Sequence, residues 1–230
     1  MTNVLVCIKR VPDAAGEVLL TADEQALDAR FVGFTVSAHE NCAVELAVRI
    51  GDATVLSLGP ADTVEQLRGA LGVGAKAAVL IEADPVGYGP ADIAREIAAV
   101  VKAHEAEGKT YDLILLGNDA ADTGDFQVGI RLAYELGRPV VNGVRTVEVD
   151  GGVATARGDG IDGVETYEVP LPAVVTVLEG GVEPRNAPRG PERVRLTLPP
   201  AQPSTVDVLG EGPDAAAAVV DLLQRLGVAR

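Results

Sequence analysis

The amino-acid sequence predicts an α/β protein: a doubly wound, mostly parallel sheet with helices on both faces, then a small antiparallel β extension, then a C-terminal arm and helix. Three observations carry this. Short apolar runs recur at Val4 to Ile8, Ala53 to Leu58, Ala77 to Ile81 and Asp112 to Leu116, rich in β-branched residues and without strict polar alternation, as strands buried on both faces require. Helical stripes lie between these runs, and strands alternating with helices build right-handed βαβ units. After Pro139 the helical pattern stops and turn residues separate short strands.

Val4 to Ile8 opens the sheet. Residues 14–34 interrupt the rhythm with a short strand at Glu17-Val18-Leu19-Leu20 and an acidic stretch, a hairpin-like excursion before a strand at Phe34-Thr35-Val36. The first helix, His39 to Ile50, gathers Cys42, Ala43, Leu46, Ala47 and Ile50 on one face. The second runs from Ala61 to Leu71 after Pro60, and the third from Pro90 to Ala106 with Ile93, Ile97, Val100 and Val101. The run ending at Leu116 feeds a glycine-bearing turn and a helix with Ile130, Leu132, Ala133 and Leu136 on its inner side. Val144 to Val149, the Asp150-Gly151-Gly152 turn, Val153 to Ala156, Val164 to Val169 and Ala173 to Leu178 read as short antiparallel strands.

The α/β domain is expected over residues 1–178, with the antiparallel extension starting near 144, and residues 179–230 as arm and C-terminal helix. The arm concentrates Arg185, Arg189, Arg193 and Arg195 in an otherwise acidic chain, and Pro188, Pro191, Pro199, Pro200 and Pro203 keep it extended. Its composition suits a linker and a partner-binding arm equally. The last helix, Pro213 to Leu226, has proline at its start and Gly227 at its end.

The charge count, 19 − 34 = −15, opposes attraction to nucleic acid and to anionic lipid. No apolar run approaches the roughly 20 residues of a membrane span, and the first ten residues lack the layout of a signal peptide. Cys7 and Cys42 are too few for a disulfide framework and have no metal-type spacing, which points to a reducing, cytoplasmic compartment. His39 and His104 are far from each other in sequence, and no hydrolytic or metal-dependent constellation can be assembled.

In a doubly wound sheet, ligands bind outside the carboxyl ends of the strands. Cys7, Ser37, Leu58-Gly59-Pro60 and Gly117 would converge there. The loop Gly117-Asn118-Asp119-Ala120-Ala121-Asp122-Thr123-Gly124-Asp125-Phe126-Gln127-Val128 leads from strand to helix, where free N–H groups and the helix dipole suit a phosphate. An adenine would lie against Cys7 and Leu58, and the phosphate would meet the amides of Asp122 to Val128. The plain alternative is an ordinary turn, with Asp122 as N-cap and Asp125 as the acidic half of a capping pair. Asp119, Asp122 and Asp125 oppose the phosphate, and no lysine lies in the loop to offset them.

The residues then resemble those of a known family. Val4-Leu5-Val6-Cys7-Ile8-Lys9-Arg10-Val11 with Asp13, the Ala43 to Arg49 helix segment, Gly59-Pro60 through Gly74-Ala75 and the central loop are similar to the β subunit of electron transfer flavoproteins. Asp162-Gly163-Val164-Glu165-Thr166 running into Leu171-Pro172-Ala173-Val174-Val175-Thr176 and Glu183-Pro184-Arg185 resembles the family's "DGGLET…LPAVVT…NEPR" signature. The resemblance implies an adenine nucleotide alpha hydrolase-like fold in a heterodimer. The α subunit would hold most of the FAD, while this chain braces it and carries a structural AMP. Electrons would arrive from a flavin dehydrogenase of the acyl-CoA dehydrogenase type, as in fatty acid oxidation, and leave toward a quinone oxidoreductase.

Carried over by position, nucleotide contacts fall at Cys7, Ser37, Ala38, His39, Glu40, Leu58 and Gly117 through Val128. The docking loop falls at Arg185, Asn186, Ala187, Pro188, Arg189, Gly190, Pro191, Glu192 and Arg193, and the C-terminal helix would pack on the partner subunit. The chain departs from the pattern at Ser37-Ala38-His39, where the family has "NPF", and at Asn118-Asp119, where it has Lys-Gln. A second FAD, as in electron-bifurcating relatives, or an empty site are the alternatives to AMP. Arg189 replaces an anchoring leucine, and a charge buried without a partner is costly, so poor docking of ordinary acyl-CoA dehydrogenases is expected. The expected role is electron carrier rather than enzyme. A specialised redox complex with a non-acyl-CoA partner and a stand-alone adenine-nucleotide-binding regulator are the rival readings.

Overall fold

The computed structural model describes residues 1–13, 19–24, 27, 28, 30, 32–185, 209 and 212–228. Strand β1 (Thr2–Cys7) is followed by the short β2 (Val11–Pro12) and β3 (Phe34–Thr35), which pair antiparallel as a separate two-stranded sheet. Then come α1 (Ala38–Ile50), β4 (Gly51–Gly59), α2 (Val64–Val73), β5 (Ala77–Glu82), α3 (Pro90–Ala106), β6 (Leu113–Gly117) and α4 (Val128–Leu136). Strands β7 (Val140–Asp150), β8 (Val153–Gly160), β9 (Gly163–Pro170) and β10 (Ala173–Val177) complete the large sheet. Its order is β5-β4-β1-β6-β10-β7-β8-β9.

The pairings from β5 through to β7 are parallel, and only β7–β8 and β8–β9 are antiparallel. Successive side chains of a strand alternate between faces. Val4, Val6, Val55, Leu113, Leu115 and Val175 pack in one buried cluster with α1 and α2 residues such as Ala43, Ala47 and Leu67. Leu5, Cys7, Leu56, Ile114, Leu116 and Val174 pack in the other with Ala94, Ile97, Val101, Leu132 and Ala133 of α3 and α4. Helices thus cover both faces, and the doubly wound sheet follows.

One strand was misplaced by the sequence reading. Ala173 to Leu178 was expected to be antiparallel, but β10 lies between β6 and β7 and is parallel to both. Apolar runs of this kind report burial on both faces, not which strands sit alongside. Val36 lies outside β3. Glu17 and Val18 lie outside the described residues, while Leu20 forms an antiparallel bridge with Leu27.

The chain divides into two compact units, Met1–Arg189 and Gly190–Arg230. In the second, α5 (Ala216–Arg225) follows a 3-10 turn at Gly212–Ala215 and leaves Val219 and Val220 exposed. No helix among the described residues is long and apolar enough to cross a membrane.

Candidate functional site

The carboxyl ends of β1, β4 and β6 open into a cavity of about 560 Å³, within the ~300–1,000 Å³ of small-ligand sites. Leu56, Leu58, Ile93, Ile97 and Leu116 give it apolar walls, and Cys7 closes its floor. Burial, with the nearby Glu40 second, pushes the Cys7 thiol up to about 12, so it is a neutral, unreactive wall.

The N-terminus of α1 forms one side. Ser37 Oγ accepts from the Glu40 N–H at 3.2 Å and Glu40 Oε2 accepts from the Ser37 N–H at 3.2 Å, a capping box. Glu40 Oε1 also accepts the Lys9 N–H at 2.8 Å, which ties α1 to the chain just past β1. Burial pushes the Glu40 carboxyl up to about 7, opposed by the hydrogen bonds from Ser37 and Lys9. Gly117 must be glycine here, because a Cβ on it would come within 2.7 Å of Glu40 Cγ.

The loop from Gly117 to Val128 forms the other side. The Ala120 carbonyl accepts from Thr123 N at 3.3 Å and from Gly124 N at 2.7 Å, and Gly124 takes φ +68° to close this turn. Asp122 therefore sits inside a turn and cannot cap a helix. The N-cap of α4 is Gln127, with no side-chain cap bond, so the capping reading of Asp122 and Asp125 is corrected. The N–H groups of Asp125, Phe126 and Gln127 donate to nothing among the described residues. They stand at the positive end of α4, ready for an anion.

Each loop carboxylate has its own partner. Lys9 Nζ lies 2.6 Å from Asp122 Oδ1. His39 Nδ1 lies 2.8 Å from Asp119 Oδ1, at ion-pair distance but without hydrogen-bond geometry. Asp125 accepts the Thr123 hydroxyl at 2.9 Å. The cation that the loop's own sequence lacks thus comes from the end of the first strand, which local sequence could not reveal. Asn118 Oδ1 accepts from the Thr176 hydroxyl at 2.7 Å, fastening the loop to β10. Gly129 lets α4 approach the same residue, since a Cβ there would meet Thr176 Cγ2 at 2.4 Å.

Of the residues singled out from sequence, Cys7, Glu40, Leu58, Gly117, Asn118, Asp119, Ala120, Asp122, Thr123, Asp125 and Val128 line the cavity. Ser37 and His39 stand behind it, acting through Glu40 and Asp119, and Ala38, Ala121, Gly124, Phe126 and Gln127 do not line it. Phe126 is 57% exposed, and Gln127 accepts from Arg131 on the outer side of α4. Ile130, expected on the inner side, is 37% exposed in the groove between α3 and α4, because Leu132 and Ala133 already fill the contact with the sheet. The sequence reading missed Lys9, Arg10, Leu27, Phe34 and the turn at Asp84 to Tyr88 as cavity walls. Arg10 stacks on Phe34, its Cζ 3.3 Å from the ring centroid. The "VKRV" motif contained the Lys9-Arg10 signal, but nothing nearby showed that it faced the loop.

Of the docking-loop residues only Arg185 is described, and Asn186 through Arg193 lie outside the described residues. Arg185 Nε lies 2.9 Å from both carboxylate oxygens of the buried Glu45. No cluster of three or more His, Cys, Asp or Glu among the described residues is placed to hold a metal.

The electron transfer flavoprotein domain family matches residues 28–202 of the chain. The chain is 35% identical to the electron transfer flavoprotein subunit beta of Mycobacterium leprae, over 80% of this chain and 72% of that one. The protein of the same name from Syntrophomonas wolfei is 33% identical over 80% of this chain and 72% of its own length. That from Clostridium acetobutylicum is 34% identical over 77% and 68%. With the matching signatures spread along a doubly wound sheet that opens on such a cavity, the chain belongs to the electron transfer flavoprotein β-subunit family.

Proposed function

We propose that this chain works as the carrier half of a heterodimer, bracing an FAD held mainly by an α subunit and holding an adenine nucleotide, AMP, in the cavity at the strand ends. The observation that carries the reading is the pairing of an apolar pocket with the undonated N–H of Asp125, one of the residues lining it at the N-terminal side of α4. The cavity volume and apolar walls suit an adenine, and the loop amides with Lys9 suit a phosphate. FAD, when bound, supplies the redox chemistry; the protein orients it and keeps water out. Cys7, neutral at any working pH, and Cys42, buried on α1, take no part in electron transfer. Working in the cytoplasm, the heterodimer would take electrons from a flavin dehydrogenase and pass them to a quinone oxidoreductase at the membrane.

Arg189 in place of a leucine anchor favours a second version, a specialised or bifurcating complex whose partner is not an acyl-CoA dehydrogenase. Co-expression with an α subunit tests both. A yellow complex formed only on co-expression, with AMP released on denaturation, supports the main reading, and FAD in the second site supports the bifurcating version. A colourless chain that stays monomeric beside the α subunit overturns both and favours a stand-alone nucleotide-binding regulator.

A further inference from the structure

We propose that Asp122 is a resident counter-ion for Lys9 that the phosphate of an incoming nucleotide displaces, so that Lys9 sets the preference of the cavity for nucleoside phosphates over nucleosides. This rests on the nucleotide reading of the cavity. The Lys9 Nζ to Asp122 Oδ1 distance is 2.6 Å, both residues line the cavity, and their side chains are 28% and 26% exposed. An ion pair reached by water to this extent is weakly held, because solvent screens it and two side chains must be ordered to make it. It can be exchanged.

The geometry suits exchange at both ends. The Lys9 backbone is pinned by its N–H bond to Glu40 at 2.8 Å, so the root of the side chain is fixed while its flexible stem is free to swing. Asp122 lies within the turn from Ala120 to Gly124, already touching solvent, and can rotate outward without leaving a buried charge. Arg10 is held against the Phe34 ring. Of the other loop carboxylates, Asp119 has His39 and Asp125 has the Thr123 hydroxyl. Asp122 is thus the carboxylate whose partner is a mobile cation. A phosphate in the cavity near the undonated Asp125 N–H carries more charge than a carboxylate and competes for Lys9 on favourable terms.

A permanent strut would use the same pair to hold the loop, and the two roles predict opposite signs. If Asp122 is a strut, Asp122→Asn loosens the loop and weakens every ligand. If it is a displaceable counter-ion, Asp122→Asn frees Lys9 and strengthens phosphate binding.

The heterodimer, stripped of nucleotide, is titrated calorimetrically with AMP, FAD and adenosine. Asp122→Asn should tighten AMP by about 3- to 10-fold and leave adenosine unchanged, and Lys9→Met should weaken AMP by about 10-fold, again sparing adenosine. FAD separates a pyrophosphate ligand from a monophosphate one, and whichever binds tighter should follow the same ratios to adenosine. Lys9→Arg, with its melting curve compared with that of Lys9→Met, separates loss of charge from loss of fold and should retain most of the preference. Equal weakening of AMP and adenosine in Asp122→Asn, or an unchanged ratio in Lys9→Met, overturns the exchange while leaving the nucleotide site standing. A wild-type heterodimer that binds none of the three ligands overturns the nucleotide site itself, and the exchange with it.

Discussion

Glu40 and Glu45 sit on the same helix, 6% and 0% exposed, yet their carboxyls move in opposite directions from the ordinary range. Glu40 receives only neutral donors: the Lys9 N–H at 2.8 Å, the Ser37 N–H at 3.2 Å and the Ser37 hydroxyl at 2.8 Å. There burial prevails and the carboxyl rises to about 7. Burial acts on Glu45 too, but hydrogen bonds from Arg185 and Arg49 outweigh it and hold the carboxyl below the usual range. Arg49 Nε lies 2.6 Å away and Arg185 adds its N–H at 3.2 Å. Depth alone does not decide the charge state; arginine side chains hydrogen-bonded to the carboxylate outweigh it at Glu45, whereas the Lys9 charge, which acts on Glu40 without a side-chain bond to it, does not. Helix α1 is fastened accordingly, at its first turn to the cavity by an acid near neutrality and at its middle by an ion network to Arg185 at the root of the arm.

The largest expected effect concerns Glu40. Its carboxyl holds a proton more tightly in the folded chain than in the unfolded one. It therefore favours the fold below pH about 4.5, and that contribution is lost as pH rises through about 7. A shift of this size corresponds to roughly 3 kcal/mol. Urea unfolding between pH 5 and 8 should show the decline, and Glu40→Gln should flatten it; an equal slope in the variant would end the contrast with Glu45.

Next comes the ion network. Glu45→Gln should cost about 2 kcal/mol at pH 7, less than a fully buried pair because both arginines are half exposed. Glu45 contributes above the ordinary carboxylate range and loses its effect as pH falls, so the acid limb of the stability curve should weaken in the same variant. Unfolding in urea at pH 4 and pH 7 reads both. The smallest effect is that of Ser37→Ala, about 1 kcal/mol from the lost cap. It should also move the Glu40 decline to higher pH, since a donor to the ionised form is gone. A decline that stays in place would mean that the serine hydroxyl is no real donor to the carboxylate.

What the sequence reveals follows from the range of the interactions. Helix α3 is legible from Pro90 at its start and from Ile93, Ile97 and Val101 on one side, all local features. The convergence of Cys7, Leu58 and Gly117 is legible because the alternation of strands and helices dictates a parallel sheet whose carboxyl ends share an edge. The place of β10 is not, because its apolar residues would suit either direction of pairing. Nor is the Lys9–Asp122 contact, which joins residues 113 apart in sequence. The alternative reading of the loop as a plain cap fails for a related reason. Asp122 and Asp125 have the residue types and spacing of a cap, but the turn closed on Ala120 consumes them before the helix begins.

Strand β10 is the last of the sheet to be synthesised, yet it lies beside β6 in the middle. Until residues 173–177 have emerged from the ribosome, Leu113 to Leu116 have a partner on one flank, β1, and a bare row of amides and carbonyls on the other. A nascent chain stalled before Ala173 therefore exposes an adhesive seam through its most apolar layer. Premature termination there would yield aggregates, not a smaller folded domain.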